Sequence, residues 1–280
     1  MTAPSAATDQ GSRNLLMRVI AAVILAPLTI AIAYAGGWPW AILVMLAAIG
    51  LYVEWLMIVG ASRNVMAVAI GVVALVVSGF CLTAGRIDIA AAVVAISVLA
   101  GVITGLRTSL SAWISGGLVY AGLAMLASVL VRSDPASGFL ALVFVLLIVW
   151  VTDIGGYFAG RGLGGPKLWP RVSPKKTWAG AIGGLVGSLV VASAFAVAGF
   201  GKLVPLLGLA VLLSIVSQLG DLFESAVKRN FGVKDSSHII PGHGGLLDRL
   251  DGFVAAIIVA ALFGVMRGGI DGIGRGLMIW

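Results

Sequence analysis

Apolar residues run along this chain in blocks of about 18 to 23 separated by short polar breaks, a length that carries an α-helix across a hydrocarbon layer of ~30 Å. The blocks predict spans at Leu15 to Tyr34, Trp38 to Val59, Val65 to Leu82, Ile89 to Leu106, Leu110 to Val131, Gly138 to Phe158, Trp178 to Phe200, Leu203 to Phe223 and Gly252 to Met266. No period-2 alternation appears, which argues against a transmembrane barrel. The predicted fold class is all-α: a polytopic integral membrane protein of about nine transmembrane helices. Residues 1–12 are small and polar and read as a disordered tail. Arg13 and Arg18 before the first block, with Ala33, Tyr34 and Ala35 at its end, are similar to a cleavable signal peptide. The long run and the eight spans that follow favour an uncleaved first helix instead.

Composition agrees. The chain is 60% hydrophobic and 10% charged, against about 25% charged in an ordinary soluble domain. Counting nine spans, the N-terminus and the loops after helices 2, 4, 6 and 8 carry roughly 13 of the 18 Lys and Arg, which makes that side cytoplasmic and the protein an integral component of the cell membrane. The net charge of +7 thus sits where anionic headgroups and nucleotides are found. It lacks the aromatic interleaving of a single-strand groove, so no nucleic-acid partner is expected. Cys81 is the only cysteine, which excludes a disulfide framework and a thiolate metal site.

Two connections are long enough to build a site, Asp153 to Thr177 and Asp221 to Asp251, and both fall on the basic side. Helices 1 to 5 (13–134) therefore read as a scaffold, and helices 6 to 9 with these two loops (135–280) as the working half. Six of the eleven acids lie between Asp153 and Asp251, and ionisable groups near bilayer depth are costly enough to mark a functional site.

On helix 8, Ser214, Gln218, Asp221, Ser225 and Lys228 step by four, three, four and three, one polar stripe with Glu224 beside it. Ser214 and Ser217 equally fit an interhelical hydrogen-bond seam; two acids and a base exceed what a seam needs. Downstream, Pro241, Gly242, His243, Gly244 and Gly245 precede Asp248, Arg249 and Asp251. Their backbone N–H groups and the start of helix 9 can converge on an anion. Asp251 suits either a helix cap or a catalytic role. Brought against Asp221, Asp248 completes a hard-oxygen site suited to Mg²⁺ with substrate phosphates. His238 and His243 form no zinc pattern.

In the other loop, Ser173 reads as an N-cap and Pro174 as a first helical residue, setting Lys175, Lys176 and Thr177 at a helix start as a seat for phosphate. A basic anchor at the membrane edge is the plainer alternative. Asp153, at the end of helix 6, needs a partner, and Lys176 or a metal serves. Gly180, Gly183, Gly184 and Gly187 suit close helix packing, and Trp38, Trp40 and Trp178 an interfacial belt. Glu54 in helix 2 fits no motif and reads first as a buried structural partner. Taken together, the residue types describe phosphoryl or nucleotidyl transfer at a cytoplasmic membrane face.

The run Ser225, Ala226, Val227, Lys228, Arg229, then Lys234, Asp235, Ser236, Ser237, then Ile240, Pro241, Gly242, His243, Gly244, Gly245, Leu246, Leu247, Asp248, Arg249, Leu250, Asp251 resembles the signature of the phosphatidate cytidylyltransferase family, the CDP-diacylglycerol synthases, at every fixed position. Gln218, Gly220 and Asp221, and Ser173 to Thr177, are similar to the family too; helices 1 to 5 match only in hydrophobic character. The resemblance implies the reaction of CTP with phosphatidate to give CDP-diacylglycerol and pyrophosphate. It implies Asp221 and Asp248 as metal-binding aspartates; Asp153 is a further candidate metal ligand from its position alone. Lys228 becomes an active-site lysine and Asp251 a further catalytic candidate. Ser173, Lys175, Lys176, Thr177, Gln218, Ser225, Arg229, His243, Gly244, Gly245 and Arg249 are the substrate-binding candidates. The expected cofactor is Mg²⁺, with a monovalent cation such as K⁺ admitted beside it. The expected partners are CTP, phosphatidate, membrane lipids and a second copy of the chain through glycine-bearing helices. A CTP-dependent lipid-alcohol kinase and an organic-anion transporter are the rivals; the latter lacks a matching pair of interrupted helices.

Overall fold

The computed structural model describes residues 23–105, 110–237 and 244–280. Among the described residues eight helices are long and apolar enough to cross a membrane: α2 (Gly37–Ile58), α3 (Val65–Thr83), α4 (Ile87–Gly105), α5 (Ser111–Ser133), α6 (Gly138–Gly162), α7 (Trp178–Val197), α8 (Leu203–Asn230) and α9 (Leu247–Gly268). A shorter apolar helix, α1 (Val23–Ala35), precedes them. Residues 15–22 of the first expected span lie outside the described residues. A short helix α10 (Ile273–Met278) closes the chain. The polytopic all-α architecture thus stands, as hydrocarbon requires of a chain that must satisfy its own backbone.

One continuous core joins the two halves, drawing buried side chains from α2, α5, α6, α8, α9 and α10. The indoles of α2 pin it to α5: Trp40 Nε1 donates to Ser128 O (3.1 Å) and Trp55 Nε1 to Trp113 O (2.8 Å). Trp40 is therefore buried, contrary to the expected place in an interfacial belt, because its N–H finds a carbonyl inside the bundle. Trp38 and Trp178 do face outward. The outer helices α3 and α4 present Val73, Phe80, Ile96, Leu99 and Ile103 to the surroundings, as lipid-facing helices do.

Helices α6 and α7 meet along glycines. An added Cβ at Gly180 would lie 2.8 Å from Gly156 O, at Gly155 2.8 Å from Gly183 O, and at Gly184 2.5 Å from Thr152 O. The small residues of α7 do the close packing expected of them. The same device brings α8 against α9 at the polar stripe, where an added Cβ at Gly220 would lie 2.7 Å from Asp251 O, and one at Gly252 2.6 Å from Ser217 Oγ.

Between α6 and α7 lies an antiparallel hairpin of β1 (Lys167–Trp169) and β2 (Ser173–Thr177), pairing Lys167 with Thr177 and Trp169 with Ser173. This corrects the expected helix start: Ser173 and Pro174 are strand residues, and α7 begins at Trp178. Its cap is Thr177, whose Oγ1 accepts from Gly180 N (3.1 Å). Proline is tolerated in this strand because a two-stranded ribbon consists only of edges.

Candidate active site

The site lies where α8, α9, the hairpin and the connection between α8 and α9 meet. Helix α8 continues to Asn230, about two turns past its expected end, so the whole stripe from Ser214 to Lys228 rides on one rigid element. Its first part is a seam. Thr152 Oγ1 on α6 donates to Ser214 Oγ (3.0 Å), and Gln218 Nε2 lies 3.4 Å from both Ala181 O and Ser214 Oγ. Ser217 Oγ is buried with no hydrogen-bond partner among the described residues.

The second part carries charge in two groups. In one, Lys176 from β2 places Nζ 2.5 Å from Asp221 Oδ2, and Ser225 Oγ approaches Asp221 Oδ1 at 3.4 Å. Asp153 on α6 and Asp251 on α9 stand within electrostatic reach of Asp221. In the other, Lys228 is held between two carboxylates, with Nζ 2.6 Å from Glu224 Oε2 and 2.5 Å from Asp248 Oδ1. Asp248 Oδ2 accepts from Ser236 N (3.1 Å), Ser236 Oγ (2.9 Å) and Gly245 N (2.9 Å). Glu224 is buried, and its Oε1 has no hydrogen-bond partner among the described residues.

The glycine turn differs from expectation in what it binds. Three amides at its end are taken by the protein's own carboxylates: Gly245 N by Asp248, and Leu246 N (2.9 Å) and Leu247 N (2.7 Å) by Glu54 of α2. Gly244 adopts φ +78, a conformation that glycine enters at no steric cost. Asp251 does not cap α9, because the helix already begins at Leu247; its Oδ1 accepts from Gly252 N (2.7 Å). His243, like His238, lies outside the described residues.

Other expected substrate contacts have local partners. Arg229 Nη1 donates to Val233 O (3.0 Å), tying the turn after α8. Thr177 is buried as the α7 cap, Ser173 is half-buried, and Lys175 and Arg249 are exposed. Of the site's contributors, Ser236 is not among the expected site residues, whereas Glu54, expected as a buried structural partner, is buried and hydrogen-bonded. The signal for Glu54 was a lone carboxylate within an apolar span.

A divalent ion is tested by charge and by donors. Lys176 and Lys228 pair with Asp221, Glu224 and Asp248, and Asp153 and Asp251 stand near Asp221, so carboxyl groups outnumber the paired lysines. Among the described residues no three acidic, histidine or cysteine side chains form a ready-made metal shell. The donor set, carboxylate oxygens, is the kind that Mg²⁺ takes, commonly one or two with phosphate and water completing the shell. Beside the charges, Trp55, Trp113, Tyr120, Phe223 and Ile258 line an apolar cavity of about 400 Å³.

Comparison with known sequences is decisive at this point: the model of the cytidylyltransferase family matches residues 16–266. The chain belongs to the cytidylyltransferase family. It is 42% identical to the phosphatidate cytidylyltransferase of Brucella suis over 260 residues, 90% of this chain and 94% of the relative. The phosphatidate cytidylyltransferases of Haemophilus influenzae (47% identical over 130 residues, 44% of this chain and 45% of the relative) and Staphylococcus aureus (51% over 115 residues, 40% and 44%) match over shorter stretches. The cytidylyltransferase match therefore extends into helices 1 to 5, which the sequence reading had linked to the family only by hydrophobic character.

Proposed function

We propose that the chain transfers the cytidylyl group of CTP to phosphatidate, giving CDP-diacylglycerol and pyrophosphate. The observation that carries this reading is similarity along nearly the whole length of both chains to a relative named for that activity. The site supports it chemically. Lysines and carboxylates gather at the ends of membrane helices beside an apolar cavity, which suits a substrate with a phosphate head and acyl chains.

In this scheme a phosphatidate phosphate oxygen attacks the α-phosphorus of CTP. A new P–O bond forms as the bond to the β-phosphate breaks, and pyrophosphate leaves. Phosphatidate is ionised near neutral pH, so no side chain need remove a proton. Lys176 and Lys228 supply positive charge where phosphate charge gathers, and hold Asp221 and Asp248 in place beforehand. Lys175, Arg229 and Arg249 add to the basic field at the same end. Mg²⁺ bound through Asp221 and Asp248 would offset the charge of the CTP phosphates. The excess of Lys and Arg in these connections supports a cytoplasmic side for the site and the N-terminus in this reading.

Purified protein in mixed micelles, given phosphatidate and CTP labelled at the α or the γ phosphorus, tests the reading. Cytidylyl transfer carries the α label into lipid. Transfer of the γ label would mark a kinase, and no labelled lipid from either would refute both.

A further inference from the structure

We propose that Glu54 is a positioning residue for the transfer reaction, a clamp from the N-terminal half that closes the connection between α8 and α9 and so holds Asp248 against Lys228. The inference rests on the functional reading above. Glu54 is 1% exposed. Its Oε1 accepts from Ser237 Oγ (2.7 Å) and Leu246 N (2.9 Å), and its Oε2 from Leu247 N (2.7 Å), with Ser236 Oγ, which Asp248 shares, at 3.1 Å. Two of these donors precede the glycine turn and two follow it. One carboxylate therefore fastens both ends of the connection to α2.

A buried carboxylate is costly unless hydrogen bonds satisfy it, and among the described residues no Lys or Arg forms an ion pair with this one. What it meets is the start of α9, which has no side-chain cap of its own: Leu246 stands at that position and offers no acceptor. Glu54 takes that role from another helix, at the end where backbone N–H groups are unsatisfied and the dipole favours negative charge. Asp248 follows Leu247 directly, so anchoring the first turn of α9 sets where its carboxylate points.

Ser236 ties the clamp to the reacting groups. Its hydroxyl lies 3.1 Å from Glu54 Oε2 and 2.9 Å from Asp248 Oδ2, and its backbone N–H also donates to Asp248. A hydroxyl has one proton, so it serves one carboxylate at a time, while the backbone N–H keeps Asp248 in register. Gly245 leaves no space in this knot, since an added Cβ would collide with Ser236 Oγ and come within 2.5 Å of Glu54 Oε2.

The test compares wild type, Glu54→Gln and Glu54→Asp as folded protein in detergent, with steady-state kinetics, thermal unfolding and amide exchange by mass spectrometry. Gln keeps the size but replaces one accepting oxygen with an NH2, which turns a donor toward donors. The expected result for Glu54→Gln is a fall in kcat of about 100-fold, the scale of a misplaced reacting group, with KM for CTP changed far less. Exchange should quicken together in the peptides covering 233–237 and 244–249, while α5 and α6 stay protected. A folded Glu54→Gln protein with wild-type kcat and exchange overturns the proposal. So does a loss of stability with undiminished turnover per folded molecule, which marks a purely structural role. Glu54→Asp, which keeps the charge but shortens the reach, should fall between the two. Should both variants fail to fold, Ser237→Ala decides, since it removes one donor and leaves α2 intact: faster exchange at Leu246 and Leu247 supports the clamp, unchanged exchange overturns it. Wild type without lipid product would defeat the functional reading, whereas an active wild type with an equally active Glu54→Gln defeats only this inference.

Discussion

Charge in this protein is held by exchange of partners. Lys228 sits between Glu224 and Asp248 at 2.6 and 2.5 Å, with 10% of its side chain exposed. Removing one member of a buried pair costs more than the pair contributes, because the remaining charge loses its partner, typically about 3–5 kcal/mol. Lys228→Met should therefore abolish turnover and lower the unfolding temperature, and Lys228→Met combined with Glu224→Gln should recover part of the stability but none of the activity. Thermal unfolding in detergent checks the first part and the CTP assay the second. Asp221→Asn and Asp248→Asn should insert and fold yet give no lipid product; full turnover in either would remove the metal-binding role proposed for them.

Far from the site, Asp134 offers a pH dependence. Burial opposes its charge, but donation from Arg275 N (2.7 Å) and Ala136 N (2.9 Å), with Arg275 Nε at 3.3 Å, outweighs it and sets the carboxyl below its ordinary value. Its stabilising contribution is complete above the unfolded carboxylate value of about 3.9 and is lost as pH falls through the lower folded value. Asp134→Asn should thus destabilise at neutral pH and narrow the difference from wild type below about pH 4, as unfolding at several pH values would show.

Helices in this molecule approach one another where side chains are absent. At Gly184 an added Cβ would lie 2.5 Å from Thr152 O, so Gly184→Val must push α7 from α6. Overpacking of this kind typically costs about 1–3 kcal/mol, and the displacement should reach Lys176, which lies two residues before α7 and pairs with Asp221. A lowered unfolding temperature with reduced turnover is expected, while Gly208→Ala, in open space on α8, should leave both unchanged. The hairpin shows where reading elements from sequence ran out. Ser173 and Pro174 carry the residue types of a helix start, yet Thr177 four positions on is the cap, because Gly180 N reaches its hydroxyl. Short polar segments hold too few side chains to show a period, and their shape follows from what they pack against.

As a whole, the molecule joins a lipid-facing exterior to one buried core shared by both halves. The basic ends of α6 and α8 with their loops predict an orientation: a single cysteine at Lys167, in a Cys81→Ala background, should react with an impermeant reagent only from the cytoplasmic side. Reaction only from the opposite side would invert the proposed topology.

That the chain is a series of apolar helices was legible from residue order, because hydrocarbon leaves a spanning chain no alternative to self-satisfied helix; the limits were not, since α8 ends at Asn230 instead of Phe223 and α9 begins at Leu247 instead of Gly252. The family was legible too, through a long polar signature that survives in sequence form. Partnership was not legible. That Lys176 takes Asp221, that Lys228 is shared by Glu224 and Asp248, and that Glu54 caps a helix whose first residues lie 193 positions away depend on which groups meet across the packed bundle. A carboxylate accepts from whatever donor packing brings within about 3 Å, and distance along the chain says nothing of distance through space.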